Sequence, residues 1–139
     1  MAQLHKVMMV EDDPDIQSVA SLALEAVGGF EVLVCGSGAE ALARLQGFAP
    51  DLILLDVMMP VQDGPTLLRQ LRERPETARF PVVFMTAKAQ ASEIAGYKQL
   101  GALDVVTKPF DPMTLPQTLL DIWARNQNQR SPADSSSAP

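Results

Sequence analysis

Little in this sequence could serve histidine or cysteine chemistry: among 139 residues there is one histidine, His5, and one cysteine, Cys35. A lone cysteine forms no internal disulfide, and without Cys and His neighbours it builds no zinc site. Cys35 therefore reads as a small buried hydrophobe at a strand end. His5 precedes the first apolar run and reads as a surface residue, which leaves imidazole catalysis almost nothing to work with. Positive charge is scarce too, with 11 Lys and Arg against 17 Asp and Glu and a net charge of −6. Proteins that coat phosphates need the opposite balance, so direct nucleic-acid binding is not expected, and Arg69, Arg72 and Arg74 read as a solvated face. Nowhere do eighteen apolar residues follow one another, and Met1 to Lys6 hold no long apolar run. Neither a signal peptide nor a membrane span is expected, and a cytoplasmic location follows.

What the chain does have is alternation. Short apolar runs at Lys6–Val10, Glu31–Cys35, Asp51–Leu55, Pro81–Met85 and Leu103–Val106 are separated by longer stretches of helical period. That is the pattern of an α/β protein with a parallel sheet, and runs without polar alternation predict strands buried on both faces. Ile16, Val19, Ala20, Ala23 and Val27 fit one helix, and Ala41, Leu42 and Leu45 a second. Asp63-Gly64-Pro65 opens a third, which Arg74-Pro75 closes. A fourth lies within Ala89 to Leu100 and stops at Gly101, and a fifth runs from about Pro112 to Arg125. Residues 1–126 make one domain of ordinary size, and 127–139, rich in Asn, Gln, Ser and Pro, make an expected disordered tail. Asp51 and Asp104 are assigned to turns, and Asp13 to an N-cap before Pro14.

Ligands of an open parallel sheet bind beyond the carboxyl ends of its strands. Glu11, Asp12 and Asp13 follow the first strand, Asp56 ends the third, Thr86 ends the fourth, and Lys108 follows the fifth. Two carboxylates about 4 Å apart repel by roughly 4 kcal/mol at an effective dielectric near 20. A raised pKa on one acid relieves this, and so does a bound divalent cation; hard oxygen ligands in an open cleft suit Mg2+. With the cation present, a carboxylate can attack a phosphoryl donor and form an acyl phosphate. Asp56, at the end of a central strand, is the nucleophile candidate, with Glu11 and Asp12 as a metal-binding pair. Lys108 and the Thr86 hydroxyl then serve the transferred oxygens. The bland alternative is a ligand-free surface cluster with Lys108 in a solvated loop.

In Val10-Glu11-Asp12-Asp13-Pro14, in Leu55-Asp56-Val57-Met58-Met59-Pro60 with Asp63-Gly64, in Phe84-Met85-Thr86-Ala87 and in Thr107-Lys108-Pro109-Phe110, the chain resembles the CheY-like receiver domain of two-component response regulators. The likeness covers about Lys6 to Asn126. It implies a doubly wound five-stranded parallel sheet of order 2-1-3-4-5 with five helices. It further implies Asp56 as phosphoacceptor, Asp12 and Asp56 as direct Mg2+ ligands, Glu11 as a metal-site acid acting largely through water, and the Met58 carbonyl as a further ligand. Thr86 and Lys108 match the family's phosphoryl contacts, and a cis peptide at Lys108-Pro109 is frequent in it. The implied partner is a histidine kinase or histidine phosphotransfer protein, and a stand-alone receiver in a phosphorelay is the expected role.

The sequence departs from the family at Val105, where members usually carry Tyr or Phe that turns inward as the Thr moves toward the phosphoryl group. This departure puts that form of reporting in doubt and favours another packing change around the fourth helix, or a small population shift. Met58 and Lys88 flank the site. On the fifth helix Leu115, Leu119 and Ile122 form a core stripe, while Leu120 and Trp123 offer a patch for a downstream partner or a second copy, the chain being a monomer or weak homodimer; Trp123 as a plain edge of the core is the alternative. Two other functions compete. An aspartyl-phosphate phosphohydrolase would need a second acid where Met58 stands, and a degenerate receiver, binding partners without phosphorylation, draws support only from Val105.

Overall fold

The structure is a computed structural model that describes the backbone of residues 3–137 and the side chains of residues 3–127. Five strands, β1 (Lys6–Val10), β2 (Glu31–Cys35), β3 (Leu52–Asp56), β4 (Val82–Thr86) and β5 (Asp104–Thr107), alternate with α1 (Pro14–Leu22), α2 (Gly38–Phe48), α3 (Gly64–Glu73), α4 (Ala91–Gln99) and α5 (Leu115–Ser137). The strands form one parallel sheet of order β2-β1-β3-β4-β5, as the resemblance implies. Three strands start and end one residue later than their apolar runs suggest. The last residues of β3 and β4 are polar, Asp56 and Thr86, because the ladder carries them to the sheet's carboxyl edge.

Alternation along each strand builds two cores. Met8, Val10, Ile53, Leu55, Val82 and Phe84 face one side with α2 and α3 residues, while Val7, Met9, Leu52, Leu54, Val83 and Met85 face the other with α1 and α5 residues. Both faces of β1, β3 and β4 are thus buried, but the edge strands β2 and β5 are largely half-exposed. Edge strands have a neighbour on one side only and are covered less completely by helices.

Asp13 caps α1, accepting from the backbone N–H of Asp15 (2.8 Å) and Ile16 (3.3 Å), with Pro14 at the first helical position. After Leu22 the helix widens into five residues of π-type turn, Ala23–Val27. Asp63 caps α3, accepting from Thr66 N–H at 2.9 Å. α4 ends at Gln99, and two residues on the chain turns at Gly101, whose φ of 111° suits glycine. α5 extends to Ser137 where the sequence placed its end near Arg125. The side chains of residues 128–139, which include most of the expected tail, lie outside the described residues.

Two sequence assignments change. Arg72 is not part of a solvated face: its guanidinium donates to the carbonyls of Ala78, Phe80 and Gly101 and ties α3 to the starts of β4 and β5. Asp104 is not a turn residue; it opens β5 and pairs with Arg125 (3.0 Å) and Lys98 (3.9 Å). Among the described residues no helix is long and apolar enough to cross a membrane.

Candidate functional site

The carboxyl edge of the sheet gathers Glu11, Asp12, Asp56, Thr86 and Lys108 from the ends of β1, β3, β4 and β5. β1 and β3 are neighbours in the sheet, so the loop after Val10 and the tip of β3 meet directly. One carboxylate oxygen from each of Glu11, Asp12 and Asp56 lies within 4.8 Å of the others. Three hard oxygen donors at that spacing fit a divalent cation such as Mg2+, because a single ion can reach all three and relieve their repulsion. Asp12 is exposed, whereas Glu11 is 1% and Asp56 4% exposed. Solvent therefore reaches the cluster from the Asp12 side.

Lys108 enters from β5. Its ammonium lies 2.7 Å from Glu11 Oε1 and 3.1 Å from Asp56 Oδ1, and its backbone N–H donates to Thr86 O at 2.9 Å. Burial lifts the Glu11 carboxyl above the usual glutamate range, against the pull of the Lys108 hydrogen bond and the Asp13 N–H, which donates to Oε2 at 3.1 Å. Burial acts on Lys108 in the downward direction, but its hydrogen bonds to Glu11 and Asp56 outweigh it and hold the ammonium above its ordinary value. The Lys108-Pro109 peptide is cis, as the resemblance implies.

Thr86 is buried, and its hydroxyl oxygen accepts from Lys88 N–H at 3.0 Å. Met58 turns its side chain to solvent and joins the site through its backbone, whose N–H donates to Asp56 Oδ1 at 3.3 Å. At Gly64 a Cβ would lie 2.5 Å from the Asp56 carbonyl, so only glycine lets α3 start this close to the acceptor strand.

Two features escaped the sequence. Gln17, one turn into α1, donates to the Glu11 carbonyl and holds that loop; its signal, a lone amide six residues downstream, is too common to single out. An apolar groove of about 390 Å³ opens beside the site between Asp15, Ile16 and Val19 of α1 and Ala87, Pro109 and Phe110. It joins segments some ninety residues apart, which no local pattern links.

The position of Leu120 and Trp123 on α5 follows from the residues around them. Helical spacing sets Pro116, Leu120 and Trp123 on one flank and Arg125 on another. Pro116 packs against Gly28, just after α1, and Arg125 reaches Asp104 of β5. The Leu120 and Trp123 flank therefore faces the α1 side and not α4 and β5. Leu120 is 36% exposed, and Trp123 packs half-buried against the core shared by α1 and α5.

A family model described as the response regulator receiver domain matches residues 7–120. Similar curated proteins include the phosphate regulon transcriptional regulatory protein PhoB of Rhizobium meliloti, 44% identical over 107 residues, 77% of this chain and 47% of that one. Response regulator Rre1 of Synechocystis is 37% identical over 128 residues, 91% of this chain and 55% of that one. The chain thus spans about half the length of these relatives. Among solved structures, the chemotaxis protein CheY4 of Vibrio cholerae superposes with a TM-score of 0.78 at 32% identity, covering 86% of this chain and 99% of that one. A response regulator from Desulfuromonas acetoxidans gives 0.76 at 27% identity, covering 86% and 97%.

Proposed function

This chain belongs to the response regulator receiver family, and on that premise we propose that Asp56 accepts a phosphoryl group, with Mg2+ held by Asp12, Asp56, the Met58 carbonyl and, through water, Glu11. The observation that carries the reading is the Asp56 carboxylate at a strand tip, 3.1 Å from the Lys108 ammonium and within one ion's reach of Glu11 and Asp12.

A carboxylate oxygen of Asp56 forms the new bond to phosphorus as the bond to the donor's leaving group breaks in line, giving an acyl phosphate. Bound Mg2+ supplies charge neutralisation between the carboxylates and the phosphoryl oxygens. Lys108, already at the Asp56 oxygen, moves with the transferred group and keeps a positive charge beside its equatorial oxygens. The Thr86 hydroxyl donates to one of those oxygens. The Gln17 amide, the Asp13 N–H and the Met58 N–H orient the acids without taking part.

The donor fitting this chemistry is a phosphohistidine of a histidine kinase or phosphotransfer protein, in the cytoplasm. The output is a phosphorylation-dependent surface change read by a protein partner. Relatives named as transcriptional regulators set one possible destination for the signal, and the net charge of −6 disfavours this domain itself touching DNA. Acetyl phosphate with Mg2+ should add one phosphoryl group by intact mass, and Asp56→Asn should abolish it. An unmodified parent chain, with binding to partners intact, would instead favour a phosphorylation-independent interaction module, for which Val105 is the supporting observation.

A further inference from the structure

α4 is the helix least anchored to the body of the protein: none of its residues is fully buried. Its main hold on the sheet is Tyr97, whose ring meets the edge of Phe84 at 5.0 Å between centroids and 63° between planes. Phe84 is fully buried in the middle of β4, two residues before Thr86, and strand alternation points both side chains to the same face. Its ring also reaches the start of α3, since a Cβ on Gly64 would lie 3.1 Å from Phe84 Cε1, and Gly64 itself lies against the Asp56 carbonyl and Val57 Cα. On the neighbouring strand the residue paired with Phe84 is Val105, half-buried and packed against the same core cluster as Tyr97.

Resting on the phosphoacceptor reading of Asp56, we propose that Tyr97 is the aromatic that couples the state of Asp56 to the α4 surface, its ring pivoting on Phe84 beside the smaller Val105. The coupling begins at Thr86. The hydroxyl oxygen that accepts from Lys88 N–H can keep that bond while its own hydrogen goes to a phosphoryl oxygen, since a hydroxyl both accepts and donates. Drawing Thr86 toward Asp56 then pulls Lys88, and with it the loop leading to Gln90, where α4 is capped. A helix with no buried anchor follows the loop, and the contact that must slide is Tyr97 on Phe84. Phe84 is fully buried within the core cluster, so the sliding partner is the half-buried Tyr97. Val105 is smaller than an aromatic ring and half-buried at the edge of the same core, so the reporter sits on the helix that moves and not on β5.

Tyr97 is the only tyrosine in the chain, which makes it directly observable. With 3-fluorotyrosine incorporated, fluorine NMR reads both the ring and the uptake of beryllofluoride, a phosphoryl mimic, in one sample containing Mg2+. The expected result is a new Tyr97 resonance that grows in step with bound beryllofluoride. Amide hydrogen exchange over residues 91–99 should change in the parent and in Tyr97→Phe, which keeps the ring. In Tyr97→Leu the change should fall at least about fivefold while beryllofluoride still binds. Uptake with an unmoved Tyr97 resonance, or an unaltered exchange response in Tyr97→Leu, overturns the proposal and leaves Asp56 as acceptor. Absence of uptake by the parent chain overturns both.

Discussion

Lys108 holds two acids at once, Glu11 at 2.7 Å and Asp56 at 3.1 Å, and in doing so occupies part of the charge that a cation would neutralise. A divalent ion entering the cluster meets that ammonium at close range, where two like unit charges about 4 Å apart repel by roughly 4 kcal/mol at an effective dielectric near 20 and a doubly charged ion by about twice that, until the flexible ammonium swings away. Lys108→Met should therefore bind Mg2+ about tenfold more tightly while losing phosphoryl uptake. Without the ion, the same variant leaves Glu11 buried beside Asp56 with no cationic partner and only the Asp13 N–H to accept from, and urea unfolding should report a loss of about 3 kcal/mol that shrinks as Mg2+ is added. Tighter binding with unchanged apo stability would contradict the double role.

Cys35 is the opposite case, a titratable group kept out of chemistry. It is fully buried, and burial, with Glu40 adding to it and Arg44 opposing, pushes the thiol up to about 11. The folded chain then holds the thiol proton to higher pH than the unfolded chain does. Its contribution to stability is complete below the ordinary value near 9 and is lost as pH climbs toward 11. Cys35→Ala should flatten the stability profile over that window relative to the parent. Alkylation at pH 8 should be at least about a hundredfold slower in the native chain than in urea.

At the level of elements, caps carry a measurable share of stability. The Asp63 carboxyl is held below the usual aspartate range by hydrogen bonds from Thr66, side chain and then backbone. A lowered value means that its contribution is present above the unfolded pKa and disappears as pH falls through the folded one. Asp63→Ala should cost about 1 kcal/mol at pH 7, the typical value of a lost N-cap, and the deficit should close in acid. α2 ends on Ala49 at φ 51° and ψ 65°, a left-handed conformation that strains any residue bearing a Cβ. Ala49 is exposed, so Ala49→Gly loses no packing and should raise stability by about 1 kcal/mol in denaturant unfolding. The first of these sites was legible beforehand, since Asp63-Gly64-Pro65 spells a helix start. The second was not, because Ala-Pro at 49–50 gives no sign that the helix closes without glycine. The widened turn at Ala23–Val27 was equally hidden, as apolar spacing alone does not separate a π-type turn from an α-helical one.

For the molecule as a whole, the site is a property of strand order. β1 and β3 lie side by side while α1, β2 and α2 pass between them in sequence, so Glu11 and Asp56, 45 positions apart, become neighbours. Binding at such a junction should stabilise the entire domain and not one element. Mg2+ at ten times its dissociation constant should raise unfolding stability by about 1.4 kcal/mol in a single transition, and Asp12→Asn or Asp56→Asn should erase the gain. Two separate transitions, only one of them sensitive to the ion, would show that the strands do not act as a unit.

The primary structure determined the alternation of strands and helices, the caps at Asp13 and Asp63, and the residue types at the strand ends. These follow from side-chain periodicity and local hydrogen bonding, which act over a few residues. Only tertiary structure decided that Lys108 pairs first with Glu11, that Arg72 turns inward, that Leu120 and Trp123 flank α1 rather than β5, and that Tyr97 rests on Phe84. Each of these is a contact between segments far apart along the chain. Such contacts depend on which helix faces cover the sheet and on the angle at which they cross it, and no short-range pattern encodes either.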